Sequence, residues 1–195
     1  MGSLTQKQRS IIIGTLLGDG YLRKMPGRKD AFLEVNHSIS AKDYVEWKYS
    51  QLKNISVGKP KERKGNGRRI AYRFYTSQHP ELSEIYNQFY KNGKKIVPDV
   101  ELDSIILAIW FMDDGSKCRA HDVYLNTQQF SEADQRKLLN MLQKVGLQVS
   151  LNRDKTYYRL RFLKESVQKF NKIIAQHIIP SMRYKLSYDP VETRP

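Results

Sequence analysis

Asp19 and Asp114 stand in the same local setting 95 residues apart: each ends an apolar run and each is followed by glycine. The runs are Ile12-Ile13-Gly14-Thr15-Leu16-Leu17-Gly18-Asp19-Gly20 and Leu107-Ala108-Ile109-Trp110-Phe111-Met112-Asp113-Asp114-Gly115. A carboxylate just past a helix sits among backbone carbonyls that have no partner inside the helix. Those carbonyls carry partial negative charge, so the place favours a cation. One Asp-Gly step after a helix is ordinarily a cap and a turn; it is the repetition that points beyond that. Asp113 competes with Asp114 for the role, and the register of the first run favours Asp114.

Helices must deliver both aspartates. Thr5 and Gln8 fit a capping box that opens a helix through Ile11, Ile12, Ile13, Leu16 and Leu17. Gly14 and Gly18 lie four apart in it, and a helical glycine costs about 1 kcal/mol relative to alanine. Their common face therefore has a packing reason, the close approach of another backbone. Asp103-Ser104 caps a second helix through Ile105 to Met112, apolar on every side and so expected to be buried on every side.

The segments after each helix also repeat. Strand-like Phe32-Leu33-Glu34-Val35-Asn36 precedes helix-like Ala41 to Leu52; Val123-Tyr124-Leu125-Asn126-Thr127 precedes Ser131 to Val145. Each half then offers an alternating run with arginines, Arg69 to Tyr75 and Tyr157 to Leu163, and a further helix, Pro80 to Tyr90 and Lys164 to Gln176. Basic segments, Lys94-Lys95-Ile96-Val97-Pro98 and Arg183-Tyr184-Lys185-Leu186, close the halves. Duplication of one α/β unit accounts for this, with boundaries at 1–98 and 99–195.

Charge narrows the partners. The chain of 195 residues has 34 Lys and Arg against 20 Asp and Glu, a net +14. That field attracts polyanions, nucleic acid first and an anionic membrane surface second. Residues 1–98 hold 19 basic and 8 acidic side chains (+11), and 99–195 hold 15 and 12 (+3). The densest basic stretch is Lys59 to Arg69, whose Gly65 and Gly67 mark a hairpin tip. Beyond it Arg69 and Arg73 share one strand face, and Ile70, Tyr72 and Phe74 the other.

Other classes drop out. The apolar run Ile105–Met112 is far short of the roughly 20 residues of a membrane span. The N-terminus lacks signal or transit character. One cysteine, Cys118, excludes an internal disulfide framework and a cysteine-rich zinc site, and an intracellular, reducing setting is expected. Whether that is an organelle or a bacterial or archaeal cytoplasm is left open. His37, His79, His121 and His177 show no metal-ligand spacing and are expected at the surface or in the core.

The two nine-residue runs resemble paired LAGLIDADG motifs, and the chain is similar over roughly residues 5–190 to single-chain, two-motif homing endonucleases. Leu125-Asn126-Thr127-Gln128 and Met182-Arg183-Tyr184-Lys185-Leu186 extend the likeness. It implies an α+β fold of two pseudo-symmetric αββαββα halves packed through the motif helices, with antiparallel sheets forming a saddle on DNA. Ile109 departs from the small residue often found there, which makes the helix pair asymmetric.

Phosphodiester hydrolysis needs a water nucleophile and stabilised charge on the phosphorane, which hard oxygen ligands holding Mg²⁺, with Mn²⁺ as a substitute, provide. Carboxylates brought together at a pseudo-twofold axis repel unless divalent cations lie between them. Asp19 and Asp114 are the expected ligands, with the carbonyls of Gly18 and Asp113. The resemblance also places a basic residue near each site: Lys95, 76 residues after Asp19, and Lys185, 71 after Asp114. Lys94 and Arg183 compete with them. The expected DNA contacts are Arg23, Lys61, Arg63, Lys64, Arg68, Arg69, Arg73, Lys117, Arg153, Lys155, Arg159 and Arg161.

The function implied is site-specific double-strand cleavage by an intron-encoded monomer acting on a long asymmetric DNA site, away from membranes. An RNA maturase assisting intron splicing and a non-cleaving DNA-binding regulator are the rivals on the same fold. Two facing carboxylates favour cleavage, since a pure binder has no use for them. No splicing residues flank the chain, which fits a free-standing product better than an intein.

Overall fold

A computed structural model describes residues 2–65, 67–119 and 122–186. The chain divides into two compact units, Met1–Tyr90 and Lys91–Pro195. Both run α-β-β-α-β-β-α around antiparallel four-stranded sheets. No helix among the described residues is long and apolar enough to cross a membrane.

The first unit consists of α1 (Gln6–Leu17), β1 (Tyr21–Arg23), β2 (Phe32–Ser38), α2 (Lys42–Leu52), β3 (Lys61–Lys64), β4 (Ile70–Tyr75) and α3 (Pro80–Phe89). The Thr5–Gln8 capping box opens α1 as expected, satisfying the first-turn N–H groups reciprocally. His79 caps α3 through Nδ1, which accepts from the Glu81 N–H, while Glu81 accepts from the Leu4 N–H at 2.9 Å and pairs with Arg9. The chain entering α1 is thereby tied to α3.

The sheet order is β1-β2-β4-β3. Its core side carries Leu22, Leu33, Val35, Tyr72 and Phe74, buried with Val45, Leu52, Leu82 and Ile85. Register fixes the opposite face, since directly paired residues of neighbouring strands point the same way. Tyr21 pairs with Glu34 and Glu34 with Tyr75; Asn36 pairs with Arg73 and Arg73 with Lys61.

A two-residue ribbon, β5 (Tyr90–Lys91) and β6 (Lys94–Lys95), comes next, with Asn92 and Gly93 left-handed at its tip (φ 52° and 72°). Asn-Gly is the pair that a tight hairpin with two positive φ values favours.

The second unit has α4 (Ser104–Asp114), β7 (Gly115–Arg119), β8 (Asp122–Leu125), α5 (Glu132–Lys144), β9 (Val149–Asp154), β10 (Tyr157–Phe162) and α6 (Lys164–Ile174). Asp103 caps α4 by accepting from the Ile106 N–H at 2.7 Å. Every residue from Ile106 to Met112 is buried, as an all-apolar helix requires. Phe170 of α6 meets Phe111 edge-on at 5.2 Å and stacks on Phe162 at 4.2 Å, joining α4, α6 and the sheet. The sheet order, β7-β8-β10-β9, is that of the first unit.

Candidate functional site

Both motif helices end at a glycine whose surroundings leave no space for a Cβ. The Gly20 N–H donates to the Thr15 carbonyl at 2.7 Å, and a Cβ on Gly20 would lie 2.7 Å from that same oxygen. A Cβ on Gly115 would collide with the Phe111 carbonyl and ring. Glycine therefore succeeds each aspartate because the chain folds tightly back over the last turn, leaving no room for a side chain.

The two aspartates are held differently. Asp19 lies past the end of α1, half exposed, with its carboxylate 3.7 Å from Nδ1 of His37. His37 sits on β2, only 11% exposed, against the Tyr44 ring at 5.4 Å. Spacing alone gave no sign of this neighbour: 18 residues separate the two, and the β1–β2 pairing brings them together. Asp114 is the last residue of α4 and half-buried. Its carboxylate accepts from Gln129 Nε2 at 3.0 Å, and its carbonyl from the Asn126 N–H and Nδ2 at 3.0 and 2.8 Å. Gly18 caps α1 through a bond to the Gly14 carbonyl at 3.1 Å, and Asp113 closes α4 beside Asp114.

Lys185 comes to the end of α4. Its ammonium donates to the Met112 carbonyl at 2.6 Å and the Phe111 carbonyl at 3.5 Å, countering the negative end of the helix next to Asp113 and Asp114. Lys95, on β6, sits half-buried with its cation over the Phe130 ring, 5.7 Å from the centroid. Lys94 and Arg183 are exposed.

The outward face of the first sheet carries Tyr21, Arg23, Glu34, Asn36, Lys61, Arg63, Arg73 and Tyr75 by register. Glu34 is buried there at 6% exposure, with Arg23 Nε at 2.7 Å and Arg73 Nη1 at 3.8 Å. Lys64 falls on the alternate side of its strand; Arg68 and Arg69 are exposed at the hairpin tip, which the Gly65 N–H closes onto the Arg69 carbonyl at 2.8 Å. Asn66 of that tip and His121 lie outside the described residues.

On the second sheet Arg159 stacks over Tyr124 at 3.9 Å and lies 3.7 Å from Asp154, while Arg161 donates to Asp122 at 2.6 Å. Arg153 Nε donates to the carbonyl of Lys155, which turns the hairpin with φ 56°. Lys117 donates to the Leu186 carbonyl at 2.7 Å, beside a register shift between Lys117 and Arg119. Beside Glu46, the Tyr72 hydroxyl is pushed up to about 12, chiefly by its hydrogen bond to that carboxylate.

The chain is similar to known proteins over nearly its whole length. The chain is 29% identical to a probable intron-encoded endonuclease 1 of Wickerhamomyces canadensis over 96% of its own length and 87% of the relative's. It is 31% identical to the cytochrome b mRNA maturase bI2 of Saccharomyces cerevisiae, of which it spans about half (48%), covering 95% of its own length. Its fold superposes with a TM-score of 0.88 on the homing endonuclease I-WcaI bound to its DNA recognition sequence, at 28% identity over 97% of this chain and 89% of that one. The homing endonuclease I-DmoI in complex with DNA and Ca shares the fold at 14% identity and a TM-score of 0.56, over 91% and 96% of the two chains. A profile of the LAGLIDADG DNA endonuclease family matches residues 9–170, and the chain belongs to that family.

Proposed function

We propose that this chain is an intron-encoded homing endonuclease that cleaves both strands of a long asymmetric DNA site as a monomer, using Mg²⁺, with Mn²⁺ as a substitute. The observation that carries the proposal is the duplicated Asp-Gly helix end in a family of DNA endonucleases, borne by units whose sheets carry basic outer faces. One motif belongs to each of the halves 1–98 and 99–195.

The donor set suits a hard divalent cation. Carboxylates at Asp19 and Asp114, with carbonyls at Gly18 and Asp113, are oxygen ligands at helix ends that already carry negative potential. When bound, the ion supplies charge neutralisation at the scissile phosphate and activation of the attacking water. The residues of the chain do the rest. Gln129 orients the Asp114 carboxylate, and His37 contributes a ring nitrogen beside Asp19. Lys185 and Lys95 each place an ammonium to hydrogen-bond the phosphate or order the water. Arg23, Lys61, Arg63, Lys64, Arg68, Arg69 and Arg73 from the first half, and Lys117, Arg153, Lys155, Arg159 and Arg161 from the second, hold the duplex.

Incubating the protein with a randomised duplex library and sequencing the ends tests this. Cutting at one recurrent sequence in Mg²⁺ and none in excess EDTA is expected; robust cutting in EDTA would refute the metal mechanism. The maturase relative favours a second reading, assistance to intron splicing. A chain that binds structured intron RNA and leaves every duplex intact would belong to that reading instead.

A further inference from the structure

The outward face of the first sheet contains a side chain that works against its charge. A face meeting a polyanion gains from every cation and loses from every carboxylate, yet Glu34 lies at the centre of this one. It is 6% exposed, so it is covered by its neighbours and is not free to read a base. Three strands build its surroundings. Tyr21 of β1 and Tyr75 of β4 flank it in register. Arg23, two residues from Tyr21 on the same strand face, reaches back over the Tyr21 ring (5.7 Å) and places Nε 2.7 Å from one carboxylate oxygen. Arg73, two residues from Tyr75, lies over the Tyr75 ring (5.2 Å) with Nη1 3.8 Å from the other oxygen. One carboxylate thus anchors two guanidiniums, each backed by its own tyrosine.

The second unit shows what this replaces. Tyr124 fills the place of Glu34, paired with Arg161 as Glu34 is with Tyr75. There Arg159, the counterpart of Arg73, is held on the Tyr124 ring at 3.9 Å. The equivalent arginine thus has a ring and a carboxylate beside it in both units, but the acid is buried Glu34 for Arg73 and the more exposed Asp154, 3.7 Å away, for Arg159.

We propose that Glu34 is a positioning residue for DNA sequence discrimination: it locks Arg23 and Arg73 as a pair so that their planar donors present to base edges in a fixed orientation. The inference rests on the reading of this sheet as a DNA interface. Arginine discriminates guanine by a bidentate fork, whose value depends on the plane being held before the base arrives. Freed from Glu34, both arginines keep their charge and still bind phosphate, but any backbone satisfies them. Losing the carboxylate therefore lowers specificity while leaving or raising affinity for arbitrary DNA.

The test is selection of bound duplexes from a randomised library in Ca²⁺, for the wild type, Glu34→Gln, Arg23→Lys and Arg73→Lys, with thermal unfolding of each as a folding check. Glu34→Gln should lose base preference at the positions that the two Arg→Lys variants relax, with the ratio of selected to random affinity falling about tenfold. Its affinity for random duplex should stay level or rise. Arg→Lys keeps each charge and removes the fork, so these variants test the inference even if Glu34→Gln unfolds. An unchanged sequence profile in Glu34→Gln, or Arg→Lys variants that relax no position, overturns the role of Glu34. A wild type that enriches no sequence overturns instead the reading of the sheet as a DNA interface, and the inference with it.

Discussion

Glu34 and Tyr124 occupy the same place in the two units, on the second strand of each sheet and opposite the strand that carries two outward side chains, Arg73 and Tyr75 in one and Arg159 and Arg161 in the other. The first unit has an acid there and the second a ring. Around them the second sheet couples its arginines to local acids, Arg161 to Asp122 and Arg159 to Asp154, while Lys61 and Arg63 stand exposed on the edge strand of the first. The helix ends differ in the same spirit: Asp19 lies past its helix beside an imidazole, and Asp114 within its helix beside an amide. Duplication has preserved the strand order and the Asp-Gly turn while the polar partners have diverged. Topology depends on the apolar pattern and the turns; the outward positions are free to specialise.

The largest expected effect tests whether that divergence stops short of the chemistry. Asp19→Asn and Asp114→Asn should each abolish double-strand cleavage and leave DNA affinity within a few-fold, because on the proposed mechanism each loses a metal ligand rather than a DNA contact. Cleavage of both strands at the wild-type rate by either variant would mean that the units differ in chemistry as well as in recognition. Single-turnover assays on supercoiled and linear substrate distinguish the cases.

Next in size are the lysines. Lys95→Met and Lys185→Met should each slow single-turnover cleavage about 10²-fold, the usual cost of one charge-stabilising donor. Equal losses would put the units on the same footing despite their different settings, a phenyl ring for Lys95 and helix carbonyls for Lys185. A loss confined to binding would reassign that lysine to anchoring phosphate.

The charge comparison is sharpened by salt. Replacing Lys61, Arg63 and Lys64 with alanine should lower the slope of log K against log[salt] by roughly 2–3 and weaken all sequences alike. Alanine at Arg159 and Arg161 should change the slope less, since Asp154 and Asp122 already balance them. A titration in which the second pair moves the slope more would reverse the assignment of the electrostatic burden to the first unit.

The smallest effect is one of stability. Burial raises the Asp134 carboxyl, but hydrogen bonds from Lys137 and Ser131 outweigh it and hold the group below the usual carboxylate range. A carboxyl lowered in the folded state stabilises above its unfolded pKa, and that contribution fades as the pH falls through the folded value. Asp134→Asn should therefore lower the melting temperature modestly at neutral pH and converge with the wild type in acid. Curves that stay parallel down to low pH would show that the Asp134 charge contributes nothing.

Range decides how much the sequence discloses. Helix caps, apolar periodicity and the two Asp-Gly steps are local, so α1, α4 and the order of the flanking elements are legible from residues alone. Partnerships across strands are not. Glu34 sits in an ordinary alternating run and looks like a solvated acid until β1 and β4 supply its arginines. His37 carries no spacing signal toward Asp19. Lys117 carries no sequence signal for its bond to the Leu186 carbonyl, 69 residues away. Lys48, a charged residue in α2, is nonetheless fully buried, with its ammonium over the Tyr44 ring.

The tight turns at Gly20 and Gly115 reach into the genetics of the chain. Any change at the first or second position of a glycine codon installs a side chain or a stop, and at both sites a side chain would strike a carbonyl of the preceding turn. Two codons far apart in the gene are thus silent only at their third positions, each a point where one transition or transversion disables a helix end while leaving its aspartate intact. In a decaying copy of such a gene, loss of activity can begin at a glycine, with both acids still in place.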